Sequence, residues 1–243
     1  MLIQKNPLTM LGTISPCWLF CYRTPVRDAE RLLPPQLQPV ELNGHAFWNV
    51  VVCRVQGMRP KSLPVPVGFK YWHVAYRLYV SLRTQQGGTI EGLYFLRSDC
   101  DSLVVSLAGN ILTDFNFHTA TVRVLDNGDL VRIQIASRDN EAHATIDRSK
   151  SPSLAPGSLF GSLDEASRFL KYKPNGISIG SSGLANVVHI LRDENAWQSK
   201  CVHVEEALWP FFSDKEVAFE ICYEVAPIDY QWLRAKSYQC ESS

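Results

Sequence analysis

The sequence predicts a mainly β fold of the α+β class, and three observations carry that prediction. Residues 121–125 and 130–135 alternate apolar and polar side chains on either side of Asn127-Gly128, which marks a hairpin. Several other stretches are short, rich in Val, Ile and aromatic residues, and bounded by Gly, Pro or Asn. Helix start and stop signals occur in only three places, so about three short helices are expected beside a large, mainly antiparallel sheet.

In chain order, 18–23 reads as a strand. Thr24 and Pro25 then open a helix near 25–33, because threonine caps well and proline suits the first helical position; Pro34-Pro35 ends it. Residues 45–55, 71–82 and 90–96 read as strands. Asp101 or Ser102 can cap a second helix over 102–112. The hairpin follows, with Asn127-Gly128 favouring a type I′ turn, Val122, Val124, Val131, Ile133 and Ile135 on the buried face, and Arg123, Arg132 and Gln134 facing water. Residues 149–157 are loop-like and mark a sub-boundary within a single domain spanning 1–243. Ser162-Leu-Asp-Glu165 fits a capping box for a third helix near 163–171, ending at Tyr172 before Pro174. Strands near 186–192, 197–205 and 216–225 complete the pattern.

With 46% hydrophobic residues over 243 positions, the chain can bury a sizeable core. Its 24 basic and 24 acidic residues cancel, so no long-range field gathers phosphates, and nucleic acid is not an expected partner. The seven cysteines are odd in number, several lie in apolar runs, and no Asn-x-Ser/Thr sequon occurs. Reduced, buried thiols in a cytoplasmic protein are the expectation. Pro7 and Pro16 interrupt the N-terminal apolar stretch, and no apolar run approaches the ~18 residues of a membrane span, so neither a signal peptide nor a membrane partner is expected.

Most motifs with chemical potential have plainer readings. Gly176-Ile-Ser-Ile-Gly180 matches Gly-x-Ser-x-Gly, yet its flanks suit a strand rather than the strand–turn–helix a nucleophile elbow needs. Cys17 and Cys21 lack the further ligands zinc requires, so no metal is expected. No phosphate loop or dinucleotide fingerprint is present, and no cofactor is expected. Asp99 and Asp101 read as helix-capping groups, and His189 and His203 as hydrogen-bonded core residues. His118 follows Phe115 and Phe117; in an apolar cavity it could serve as acid or base, and otherwise it is a satisfied buried or edge histidine. Arg23, Arg54, Arg77 and Arg97 sit in or beside apolar strands. A single inward arginine could hold a ligand carboxylate bidentately, but alternation gives each only two faces, and a shift of one residue turns it outward.

Two segments carry a family resemblance. Tyr22-Arg23-Thr24 followed by Asp28-Ala-Glu-Arg-Leu-Leu-Pro-Pro35, and Gly109 to His118 before the hairpin, resemble acetoacetate decarboxylase-like proteins. The order Arg31-Leu-Leu-Pro-Pro, Trp48-Asn-Val-Val-Val with Arg54, Arg77-Leu-Tyr-Val80, Tyr94-Phe-Leu-Arg-Ser-Asp99 and Glu165-Ala-Ser-Arg-Phe-Leu170 with Tyr172 is similar to the YqjF-like family, domain of unknown function 2071, over most of 14–225. The resemblance implies a barrel-like antiparallel sheet around an internal cavity, and commonly a homo-oligomer. It places the Schiff-base lysine of the decarboxylases at Phe117 and its neighbouring lysine at His118. A family carboxylate falls on Asn49. A glutamate frequent four residues before the Arg-x-Tyr motif falls on His73. Lys70 is the lysine nearest another expected cavity strand, and nothing matches it to a catalytic position.

Phenylalanine cannot form an imine, so lysine-imine decarboxylation is not expected at this position. The expected function is a cavity that binds a small organic ligand, a carboxylic acid among the candidates, with Arg54, Arg77, Arg97, Asn49 and Phe117 as ligand-binding residues. The alternatives are an enzyme using acid–base chemistry through His118 or His73, and an oligomeric scaffold with a vestigial pocket.

Overall fold

The computed structural model describes residues 5–139, 141–171, 173–180 and 182–241. Its strands are β1 (Met10–Pro25), β2 (Leu37–Pro39), β3 (Glu41–Leu42), β4 (His45–Pro60), β5 (Phe69–Arg83), β6 (Thr89–Cys100), β7 (Phe117–Asp126), β8 (Leu130–Ser137), β9 (Glu141–Asp147), β10 (Asn175–Ile179), β11 (Ala185–Arg192), β12 (Ser199–Leu208), β13 (Ala218–Val225), β14 (Ile228–Trp232) and β15 (Lys236–Tyr238). The α-helices are α1 (Val26–Glu30), α2 (Leu103–Leu112) and α3 (Leu163–Phe169). The mainly β expectation and all three helix positions hold. Tyr172, the expected end of α3, lies outside the described residues.

All strands join one sheet whose ladder returns on itself twice. One circuit runs β1, β4, β5, β6, β10, β11, β14 and back to β1. The other leaves β1 through β13, β12, β9, β8 and β7, then re-enters at β6. Strands β1, β4, β5 and β6 are common to both. The pairings are antiparallel except β6–β7 and β6–β10, so the sheet is mixed. Helix α2 supplies the crossover that a parallel β6–β7 pair requires.

The shared wall explains why 45–55 reads as an apolar run and why even the polar positions His73 and Arg77 of 71–82 are buried. A strand with a core on each side is buried on both faces. On β1, Trp18, Phe20 and Tyr22 enter one core, and Cys17, Leu19 and Cys21 enter the other. On β5, Trp72, Val74, Tyr76 and Leu78 face the first core, and Tyr71, Ala75 and Tyr79 the second.

The first core is closed by Trp209 and by Phe211 and Phe212 of a 3₁₀ turn; Trp209 Nε1 donates to Tyr22 Oη, and Phe212 packs on Trp48 at 5.1 Å. The Tyr-Arg-Thr motif fastens β1 here. Arg23 pairs with the fully buried Glu220, which also accepts from Ser158, and Thr24 Oγ1 donates to the Glu216 carbonyl at 2.7 Å.

Three local readings are corrected. At the β7–β8 turn, Asn127 N–H donates to the Leu130 carbonyl and only Gly128 takes a positive φ, +87°. A type I′ turn needs two positive φ values; glycine alone at the first central position matches type II′. At α2 the cap is Ser102, whose side chain accepts from Val105 N. Asp101 instead accepts from Trp72 N–H at 2.7 Å, and Asp99 pairs with Arg97. At α3, Ser162 caps Glu165 N, but Glu165 reaches back to Gly161 N, one residue before the box position.

Candidate functional site

The second core does not fill its space. It encloses a cavity of about 220 Å³, larger than the roughly 150 Å³ that houses a benzene in an engineered core. Its walls are mostly apolar: Leu19, Val51, Phe95, Phe115 and Trp232 line it, and Val105, Ala108 and Leu112 of α2 cover it. Leu8, Phe69 and Val104 line it too and are about half exposed, 49%, 47% and 58%, so they ring its mouth.

Strand alternation decides which polar groups enter. On β5, His73 and Arg77 share the cavity face. Both are buried, at 6% and 4% exposure. Arg77 Nη2 donates to the Asn49 carboxamide oxygen, and its guanidinium lies 5.5 Å from the Phe95 ring centre. Asn49, opposite Arg77 on β4, is fully buried, and its Nδ2 donates to Tyr79 Oη at 3.4 Å. His73 stacks on Phe117 at 5.4 Å, and its Nε2 is buried with no hydrogen-bond partner.

His73 has two further neighbours that sequence reasoning missed. Cys53 sits directly opposite it on β4, and Cys17 sits opposite Cys53 on β1. All three line the cavity. Hydrogen bonding with Cys17 and His73 pulls the Cys53 thiol below the ordinary range, against the opposing effect of burial. Cys17 moves upward, through the Cys53 bond and burial. Of these two neighbouring thiols, Cys53 is the one beside the imidazole, and His73 and Arg77 favour its charged form. The sequence held a signal for this row: Cys53 and His73 both sit at odd positions of adjacent predicted strands. Only the pairing register shows that they meet.

Arg192 on β11 also lines the cavity and was not anticipated. Its guanidinium stacks on Trp197 at 3.8 Å and pairs with Glu194 at 2.8 Å.

Of the sequence-based candidates, the structure brings together Arg77, Asn49, His73 and Phe117, and it sets the others elsewhere. Arg54 is exposed and lies over Trp72, because an even position on β4 faces away from Cys53. Arg97 is held by Asp99 at 2.8 Å and Asp139 at 2.8 Å, outside the cavity. A bulge is the reason. Tyr76 pairs with Arg97 and Arg77 with Phe95, so Leu96 is extra, and Phe95 and Arg97 fall on different sides despite their spacing of two. His118 is absent from the lining. It pairs in register with Asp99, on the side of Ala120 and Val122. It is half-buried on a strand flanked by β6 and β8, away from the cavity.

Ser178 is a buried mid-strand residue whose hydroxyl meets Asp114 at 3.3 Å, so the Gly-x-Ser-x-Gly match is not an elbow. His189 is exposed rather than buried and meets Asn175 at 2.9 Å, while His203 lies 3.7 Å from Glu205. Among the described residues no cluster fit to hold a metal is found. No lysine lines the cavity among the described residues: Lys5 caps the carbonyls at the end of α2, and Lys70 lines a separate surface hollow. Among the described residues no helix is long and apolar enough to cross a membrane.

The family model DUF2071, described as "Uncharacterized conserved protein", matches residues 16–187, which include most of β1 and all of β4, β5 and β6. The chain belongs to this family. No curated protein matches it by sequence. Among solved structures, acetoacetate decarboxylase from Legionella pneumophila superposes with a TM-score of 0.63 at 12% identity, over 95% of this chain and 87% of that one. An acetoacetate decarboxylase-like enzyme from Sphingomonas wittichii gives 0.60 at 13%, over 98% and 95%. The enduracididine biosynthesis enzyme MppR, complexed with pyruvate, gives 0.59 at 10%, over 97% and 92%. At such identities the likeness shows the fold alone. This DUF2071 chain thus has an acetoacetate decarboxylase-like fold.

Proposed function

We propose that the protein binds a small, partly apolar carboxylic acid in this cavity, with Arg77 taking the carboxylate. The observation that carries the reading is the buried guanidinium of Arg77 in the wall of an otherwise mostly apolar space. Guanidinium presents a fork of donors that matches a carboxylate, and a charge-assisted pair gains strength where water is excluded. Asn49 orients that fork by accepting a hydrogen bond from Nη2 through its neutral amide. A volume near 220 Å³ suits an acid of a few carbons. The pyruvate bound to MppR, a protein of similar fold, is an acid of this class. A pocket plugged by aromatic rings, as the scaffold alternative requires, would not leave that volume.

Phe117 lines the cavity at the position where the resemblance puts the imine-forming lysine. With Lys5 and Lys70 occupied elsewhere, the ligand is held without imine chemistry in this reading. A second reading, acid–base catalysis on the bound acid, is favoured by His73, whose Nε2 is buried and unpartnered beside the cavity.

The test is binding of three- to eight-carbon carboxylic acids, followed by thermal shift and calorimetry, with the matching neutral amides as controls. Acids should stabilise the wild type more than their amides, and Arg77→Met should remove the difference. Equal effects of acid and amide, or no effect of any acid, would refute the reading.

A further inference from the structure

We propose that Cys53 is a nucleophile with His73 as its base, and that the cavity takes small carboxylic acids bearing an electrophilic carbon within a few bonds of the carboxylate. The inference rests on the preceding reading for the place of the carboxylate at Arg77. It adds a covalent step at a second point of the same cavity.

The geometry is a row across the shared wall. Cys17, Cys53 and His73 occupy directly opposed positions on β1, β4 and β5, and all face the cavity. Side chains at opposed positions of one face have Cβ atoms ~5 Å apart, within reach of a thiol–imidazole contact. The row is not a chance packing of satisfied groups, because His73 is 94% buried by its 6% exposure and its Nε2 has no partner. An unpartnered imidazole nitrogen in an apolar wall costs free energy that a ligand or a transferred proton can recover. Phe117 stacks on the ring and fixes its plane.

The electrostatics agree. The groups facing Cys53 are Cys17 from β1, Tyr71, His73 and Arg77 from β5, and Cys100 from β6. The α2 residues over the cavity include no titratable side chain. Cys17, His73 and Arg77 all favour the Cys53 thiolate. By contrast, burial pushes the Cys100 thiol up to about 11 and the Cys21 thiol up to about 12. Nucleophilic cysteines occur where cationic or hydrogen-bonding neighbours hold the thiolate, and buried structural cysteines are inert.

In the step, the Cys53 sulfur pair forms a bond to the electrophilic carbon. The electrons displaced from that carbon leave with a leaving group, or move to the adjacent carbon of a double bond. The thiol proton passes to His73, which in the second case returns it to that adjacent carbon. The carboxylate stays on Arg77 throughout.

The smallest probe of this class is iodoacetate, from which iodide leaves. Its neutral counterpart is iodoacetamide. Alkylation of each cysteine is followed by peptide mass spectrometry on the whole protein from pH 5 to 10. Cys53 should react with iodoacetate at least about ten-fold faster than Cys100 or Cys222 at pH 7, and its rate should level off well below the ordinary thiol value of about 8.5. His73→Gln should move that profile upward in pH while leaving the high-pH rate in place, a change that a merely structural histidine would not produce. Should that variant misfold, the wild-type profile decides alone. Arg77→Met should keep the reaction at Cys53 but abolish its preference for the charged reagent.

Cys53 reacting no faster than Cys222 with either reagent would overturn the nucleophile, even if acids still stabilised the protein. Fast reaction confined to iodoacetamide would overturn the carboxylic acid as substrate and, with it, the place given to Arg77.

Discussion

The ring of His73 stacks on that of Phe117, with centroids 5.4 Å apart and planes inclined by 19°. Phe117 is itself pressed against α2. A Cβ added at Gly109 would lie 2.5 Å from Phe117 Cδ2, closer than real contacts allow. Gly109 is thus the gap in the helix that admits the ring.

Gly109→Ala should therefore destabilise the fold by about 1–3 kcal/mol, the usual cost of overpacking a tight contact, despite alanine's better helix propensity. Denaturant unfolding measures it. Gly109→Ala combined with Phe117→Leu should lose less than the two single variants together, because removing the ring relieves the clash. Strict additivity would show that Gly109 does not serve Phe117.

Asn49→Asp should weaken carboxylic acid binding at least ten-fold. Asn49 already accepts from Arg77 Nη2, so an aspartate there would form a buried ion pair and compete with the ligand carboxylate for the guanidinium. Calorimetric titration of wild type and variant with the best acid gives the ratio. Unchanged affinity would mean that the carboxylate binds elsewhere, with Arg192 the next group to examine.

Arg23→Ala should cost about 3–5 kcal/mol, because it strips the partner from a buried charge. Glu220 is fully buried and held by Arg23 and Ser158. Arg23→Ala with Glu220→Gln should regain part of that loss, as the stranded carboxylate is then gone. Urea unfolding of the three proteins distinguishes this from simple loss of packing at Arg23, for which the double variant would be no better than the single.

What the sequence disclosed follows from local physics. The helices came from caps and prolines, and the β7–β8 hairpin from alternation around Asn127-Gly128. The family motifs Tyr22-Arg23-Thr24 and Arg77-Leu-Tyr79 were visible, but not that the first is structural and the second reaches the cavity. Which arginine turns inward depended on the bulge at Leu96, a feature of pairing rather than of composition. Cys53 was legible only as one thiol in an apolar run. Its neighbours Cys17 and His73 are 36 and 20 positions away in sequence, and nothing local sets the register that joins them. Strand β9 was missed because its glutamate, two alanines and aspartate have low strand propensity, and β14 because it is five residues long and directly follows Pro227.

Acid should weaken the fold through the Arg97 cluster, and the sign of the effect is fixed by Asp139. Hydrogen bonds from the Arg97 guanidinium hold the Asp139 carboxyl well below the usual carboxylate range, at 2.9 and 2.8 Å. In the unfolded chain an aspartate titrates near ~3.9. A carboxyl whose folded value is depressed stabilises the fold fully above the unfolded value, and this contribution is lost as pH falls through the folded value. The Asp139 contribution should therefore be present at pH 6 and fade from about pH 4 downward. Asp126, held down by Arg148, changes in the same direction, so wild-type acid sensitivity alone cannot identify Asp139. The difference between wild type and Asp139→Asn can. Its side chain is 57% exposed, so the effect is screened and modest. Urea unfolding should show a stability gap between the two proteins at pH 6 that narrows at pH 2.5, and the pH 6 gap should shrink in 1 M salt. Asp99, fully buried against the same guanidinium, remains in both proteins and keeps Arg97 in place. A gap independent of pH would show that the Asp139–Arg97 pair does not couple to folding.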